Sequence, residues 1–134
     1  MKSIIGGIVI VAVVFIGYTL FQKSQNASMS PKSEMPKATG LIQEFTTTAY
    51  YDETGVWYSL KEMRVKKGDT VRITATNTKG MHDFTLDEFG IKKELTLNEA
   101  VTIEFIADKT GEFIYYCSKT GHRAKGQFGK LIVE

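Results

Sequence analysis

From residue 40 onward the chain predicts an all-β sandwich, on three observations. Apolar and polar residues alternate with period two in several short runs. Clusters of Gly, Asn, Asp, Lys and Thr separate those runs at short intervals, and helical patterning is absent after Phe21. Short alternating strands punctuated by turns, with no proline inside them, favour two packed sheets. Taken in order, Met63-Arg64-Val65 predicts an edge or closing strand, followed by a turn at Lys67-Gly68-Asp69. Val71, Ile73 and Ala75 alternate with Arg72, Thr74 and Thr76, and Asn77-Thr78-Lys79-Gly80 ends that strand. His82, Phe84 and Leu86 share one face of the next strand. Val101, Ile103 and Phe105 alternate with Thr102, Glu104 and Ile106 before a turn at Asp108-Lys109-Thr110-Gly111. Phe113, Tyr115 and Cys117 then share a face, a turn is expected over residues 126–129, and residues 129–133 close the domain. Residues 49–61 (with Tyr50, Tyr51, Trp57 and Tyr58) fit either a hairpin around Thr54-Gly55 or a loop packed on the sandwich. No internal repeat is present.

The first 21 residues are of another kind. Residues 4–21 form an 18-residue run without charge, in which Thr19 is the one clearly polar member. As a helix the run spans about 27 Å, near the ~30 Å hydrocarbon core of a bilayer. It exceeds the apolar stretch of an ordinary signal peptide, and no clear small-x-small cleavage site follows it. The expectation is an uncleaved N-terminal transmembrane helix with the domain in the periplasm or outside the cell. Cleavage would instead give a secreted protein. Residues 22–39 hold both prolines, Pro31 and Pro36, and four serines, which suits a flexible tether. As a coil it would span about 23 Å, and roughly 60 Å fully extended. Residues 40–134 suit one domain around one core. That domain carries thirteen Lys and Arg against fourteen Asp and Glu, net −1, so the whole-chain charge of +2 gives no reason to expect a nucleic-acid partner. Lys119, Arg123, Lys125 and Lys130 gather near the C-terminus, as expected for either a solvated loop or a surface for an acidic partner. A single cysteine excludes an intramolecular disulfide.

Three strong soft-metal ligands are present in total: His82, Cys117 and His122. Cys117-x4-His122 lies within one short segment, Gln127 follows five residues later, and His82 stands 35 residues upstream of Cys117. A lone cysteine is ordinarily a small buried hydrophobe. Here the alternation places both Cys117 and His82 at inward-facing strand ends, where a bound metal would account for them. One thiolate and two imidazoles make the trigonal set of a type 1 copper site, completed by a long axial ligand. Zinc also accepts Cys and two His.

The segment Tyr115-Tyr116-Cys117-Ser118-Lys119-Thr120-Gly121-His122-Arg123-Ala124-Lys125-Gly126-Gln127-Phe128-Gly129-Lys130-Leu131-Ile132-Val133 resembles the C-terminal copper loop of cupredoxins. Val65-Lys66-Lys67-Gly68-Asp69-Thr70-Val71 and Met81-His82-Asp83-Phe84 resemble the same family's middle strands, and the similarity extends over roughly residues 41–134. Most such loops carry Met where this chain has Gln127, and an axial Gln resembles the stellacyanin-like members. The resemblance implies a Greek-key β-sandwich and one copper per chain, cycling between Cu(I) and Cu(II). It further implies ligation by His82, Cys117 and His122 with Gln127 axial, and an electron port at His122. Asn77 is then a candidate for tying the His82 loop to the Cys117 loop, unless it only closes its own turn.

These readings lead to the expectation of a membrane-tethered, monomeric electron carrier between redox partner proteins, and not an enzyme. No spare histidine exists to build an open or second metal site. Copper storage or delivery is the second expectation, with Met29 and Met35 in the tether as its hint. A metal-free interaction module is the third.

Overall fold

The computed structural model describes residues 37–134. The expected anchor, residues 1–21, and nearly all of the expected tether lie outside the described residues. Among the described residues no helix is long and apolar enough to cross a membrane.

Among the described residues nine strands form two sheets: β1 Ile42–Asp52, β2 Gly55–Tyr58, β3 Glu62–Val65, β4 Thr70–Asn77, β5 His82–Leu86, β6 Ile91–Leu95, β7 Ala100–Ile106, β8 Gly111–Tyr116 and β9 Phe128–Val133. One sheet runs β2-β1-β4-β7 and the other β3-β9-β8-β5-β6. Two neighbouring pairs are parallel, β1 with β4 and β3 with β9; the other strand pairs are antiparallel. A 3-10 turn, Asp87–Phe89, separates β5 from β6 and ends on Gly90 in the left-handed region.

The period-two reading holds closely in β4, where every second residue from Val71 to Asn77 is buried. Residues 49–61 resolve as a hairpin, with β2 antiparallel to the end of β1 and its turn at Glu53-Thr54. Asp52 organises that turn. Its Oδ1 accepts from the Thr54 N–H and hydroxyl, the Gly55 N–H and the Trp57 indole. Two strands went unread in the sequence. The inward face of β1 is Gln43, Phe45, Thr47 and Ala49, half of it polar, so no apolar alternation announces it. Thr47 is nonetheless buried, its hydroxyl accepting from the Leu60 N–H. In β6, an edge strand, Lys92, Lys93 and Glu94 lie exposed between Ile91 and Leu95. The turn expected over residues 126–129 is shorter, because Phe128 already pairs with Tyr116.

The core joins the sheets through aromatic rings. Tyr58 of one sheet packs on Phe84 and Tyr115 of the other, with ring centroids 5.9 and 5.7 Å away. Phe84 and Tyr115 stack on each other at 5.1 Å. Ile73, Leu86, Ile103 and Leu131 fill the space around them. Both tyrosine hydroxyls are satisfied inside: Tyr58 donates to the Asp83 carbonyl and Tyr115 to the Leu60 carbonyl. Gly129 is required by this packing, since a Cβ there would lie 2.1 Å from the Tyr115 hydroxyl oxygen.

Near the start of the domain, Asp69 accepts from the Lys66 and Leu41 N–H groups and the Gln43 amide. Those bonds, the Lys66 N–H first among them, hold its carboxyl below the usual range. Asp52 is lowered to about 2, chiefly by the Thr54 hydroxyl. A carboxyl with a lower pKa folded than unfolded stabilises the fold above its unfolded value of about 4, and the contribution disappears as pH falls through the folded value. The urea midpoint is therefore expected to be level between about pH 7 and pH 5 and to fall below about pH 4. Asp69→Asn should lower the midpoint at pH 7 and flatten the acid limb, which urea titrations at a series of pH values will read.

Candidate metal centre

The site is assembled from one strand end and one loop. β5 begins at His82, and β8 ends at Tyr116, immediately before Cys117. Between β8 and β9 the chain turns back over residues 117–127 as a compact loop knit by its own backbone. The Cys117 N–H donates to the Gln127 carbonyl, the His122 N–H to the Lys119 carbonyl, and the Gln127 N–H to the His122 carbonyl. This brings both ends of the loop under β5. Gly126, at φ 106°, makes the final bend beneath the Trp57 ring.

All four residues expected from the sequence meet here. One donor atom from each of His82, Cys117 and His122 lies within 4.8 Å of the others. The Cys117 Sγ is 3.5 Å from the His122 Nδ1. The Gln127 Oε1 lies 2.9 Å from the His82 Nδ1 and 3.1 Å from the His122 Nδ1. His82, Cys117 and Gln127 are completely buried, whereas His122 is only half-buried. Donors bound to one ion at about 2.0–2.3 Å stand roughly 3–4 Å apart; the Cys117–His122 separation of 3.5 Å lies in that range, and the whole cluster, within 4.8 Å, is slightly wider.

The surroundings fix which atoms face inward. The His82 Nε2 lies 2.8 Å from the Lys79 carbonyl, an acceptor, so this nitrogen carries the proton and Nδ1 presents its lone pair. The Gln127 side-chain N–H donates to the Trp57 carbonyl at 3.1 Å, which orients the amide oxygen into the cluster. Burial holds the His82 pKa below its ordinary value and pushes the Cys117 thiol up. Both residues are thus neutral at pH 7 without an ion, and metal binding would displace the thiol proton.

Asn77 does not tie the two loops together. Its amide donates to the Gly80 and Leu95 carbonyls, and its oxygen accepts from the Lys79 N–H. It therefore closes its own turn and anchors that turn to β6. The tie is made by Asp83, which the sequence reading passed over. The Ser118 N–H and hydroxyl donate to its two carboxylate oxygens at 2.7 and 2.5 Å. The Asp83 N–H points at the Cys117 Sγ from 3.5 Å. An acid inside a strand, between a histidine and a phenylalanine, was the available signal, because Asp is depleted from strands.

The basic cluster is partly used within the domain. Lys119 pairs with Glu94, Lys130 pairs with Glu112, and Arg123 lies over the Tyr116 ring. A cavity of about 480 Å³ opens beside His122, between the β1–β2 hairpin and Lys125.

The family model for the cupredoxin-like domain matches residues 9–133. The chain belongs to the cupredoxin-like family. Copper is the metal of that family, and the donor set of this cupredoxin-like domain suits it. The chain is 32% identical over 105 residues to the nitrous-oxide reductase of Ralstonia nicotianae, covering 74% of this chain and 16% of that protein. With the nitrous-oxide reductase of Stutzerimonas stutzeri it shares 33% identity over 82 residues, 58% of this chain and 13% of that one. The cupredoxin-like chain thus spans a small part of these relatives' length. Among solved structures, an auracyanin from Roseiflexus castenholzii superposes with a TM-score of 0.56 at 22% identity, covering 72% of this chain and 98% of that one. A copper nitrite reductase from Nitrosomonas europaea gives 0.62 at 23%, covering 69% and 41%. At these identities the structural matches establish the fold.

Asn77→Ala should cost about 1–3 kcal/mol, because buried carbonyls lose their donors. Hydrogen exchange should quicken at residues 78–81 and 95–98 and stay unchanged across residues 117–127.

Proposed function

We propose that this cupredoxin-like domain holds one copper ion between His82, Cys117 and His122, with Gln127 axial, and carries single electrons between partner proteins. The observation that carries the reading is the convergence of one sulfur, two imidazole nitrogens and one amide oxygen, three of the four residues being fully buried. Copper bound there would supply a one-electron couple between Cu(I) and Cu(II). The chain's own contribution is rigidity. β5, the backbone-knit loop and the Trp57 carbonyl set the donor positions in advance, so little need move when charge changes. His122, half-buried at the edge of the cluster, is the proposed route for electrons.

A carrier role, not a catalytic one, is favoured by the filled donor set, since substrate chemistry at a metal needs an open position. Gln127 is proposed as the axial donor because the Trp57 carbonyl turns its oxygen inward. An amide oxygen is harder than a thioether and favours Cu(II). The location outside the cytoplasm, and attachment through residues 1–21, remain part of the proposal and rest on the apolar run alone. Storage or delivery of copper is less well supported, because a buried, pre-formed site suits retention better than exchange.

Cu(II) added to the wild-type protein should give an intense thiolate charge-transfer band in the visible spectrum, and Cys117→Ser should abolish it. A colourless wild type, or a coloured Cys117→Ser, rejects the ligand assignment. Gln127→Met should raise the reduction potential and keep the band; voltammetry showing neither potential nor spectrum changed would remove Gln127 from the copper.

A further inference from the structure

Gln127 is the central residue of a three-residue turn, closed by a bond of 2.9 Å from the Phe128 N–H to the Gly126 carbonyl. Lys61, which immediately precedes β3, staples that turn from outside. Its ammonium donates to the Gly126 carbonyl at 3.1 Å and to the Phe128 carbonyl at 3.4 Å, on either side of Gln127. The same ammonium lies 4.8 Å from the centroid of the Trp57 ring. That ring covers Gly126, where a Cβ would come within 3.1 Å of it, and its indole N–H is held by Asp52. The Trp57 carbonyl in turn accepts from the Gln127 side-chain amide. Backbone and side chain of Gln127 are therefore gripped from one short stretch, Trp57 to Lys61. Among the described residues Lys61 is in no ion pair, and both of its oxygen partners flank one candidate ligand.

We infer that Lys61 is a positioning residue for the metal centre: with the Trp57 ring it clamps the turn around Gln127 and so fixes how far the Gln127 amide oxygen reaches into the cluster. The inference rests on the reading of Gln127 as axial donor. The axial bond of a type 1 site is long and weak and tunes the potential, so the protein's hold on the donor decides what that donor contributes. Lys61 is exposed, and single interactions at the surface add little to stability. Its loss should therefore be felt at the site and hardly in the fold. Charge and positioning act here with opposite sign. Removing a positive charge near the centre favours the oxidised ion, which is the more positive of the two. Loosening the Gln127 oxygen favours the reduced ion, because a hard donor to Cu(II) is weakened.

Two substitutions in the full-length protein separate these effects. Lys61→Met keeps an unbranched chain against Trp57 and donates nothing, whereas Lys61→Arg keeps the donors. Both should fold with a urea midpoint near that of the wild type. After loading with Cu(II), Lys61→Met should retain the thiolate band and shift the balance toward Cu(I) about tenfold, a rise of about 59 mV for a one-electron couple. Lys61→Arg should return the potential to the wild-type value. In a Gln127→Ala background Lys61→Met should no longer raise it. In the metal-free protein, nuclear magnetic resonance should show the Gln127 side-chain amide of Lys61→Met exchanging with water about tenfold faster, as for one lost charge-assisted hydrogen bond. A potential that falls or stays level in Lys61→Met, a rise that persists in the Gln127→Ala background, or an unchanged amide exchange overturns the inference. If Gln127→Ala alone leaves potential and spectrum unchanged, or the wild type has no thiolate band, the ligand reading has failed, and amide exchange in the metal-free protein still decides whether Lys61 holds Gln127.

Discussion

Three aromatic rings set the distance between the two sheets, and the rest of the domain is positioned from them. Tyr58 comes from one sheet, Phe84 and Tyr115 from the other, and each ring packs on both of the others. Contacts of this kind add to the burial of large apolar area. The two hydroxyls give the packing direction as well as strength. That of Tyr58 donates to the backbone of β5 one residue after His82, and that of Tyr115 reaches back to Leu60. The same cluster that fills the core thus holds the strand from which the first candidate ligand projects. Gly129 is part of the arrangement, because the Tyr115 hydroxyl occupies the space of a side chain there.

The sequence made the strongest elements legible and concealed the rest for physical reasons. β4 alternates cleanly because it is flanked by strands on both sides and buries one face. His82, Cys117 and His122 were legible because His and Cys are so few, and alternation put His82 and Cys117 at strand ends; Gln127 was legible only through the resemblance of its loop to that of cupredoxins. β1 was hidden by a polar inward face, and β6 by its exposed edge position. Asp83 was hidden by the alternation itself. Period two assigns it to solvent, and only the fold of a loop 35 residues downstream brings it inside. For Asn77 the sequence left two roles open, and the local one, closing its own turn, is the one found, with an added bond to β6.

Burial in the cluster also sets the state of the metal-free protein. A thiol with its pKa pushed up and an imidazole with its pKa pushed down are both neutral. Neither His82 nor Cys117 therefore carries charge until an ion arrives. The His82 Nε2–H bond to the Lys79 carbonyl and the Gln127 amide bond to the Trp57 carbonyl hold these two side chains in place with no ion required. The spacing of the donors is then a property of the fold and not of the ion.

The position of β9 has a consequence for how the domain comes into being. It lies inside its sheet, between β3 and β8, and its residues 130–133 pair in parallel with residues 62–65. Until β9 has been synthesised, β3 has no partner and β8 is left as an open edge. Such long-range pairing is slow to form, and the open strand edges it leaves are prone to aggregation. The β2-β1-β4-β7 sheet is complete in sequence by residue 106, whereas the other sheet can close only when the last strand is in place, so β3 is recruited in a late step.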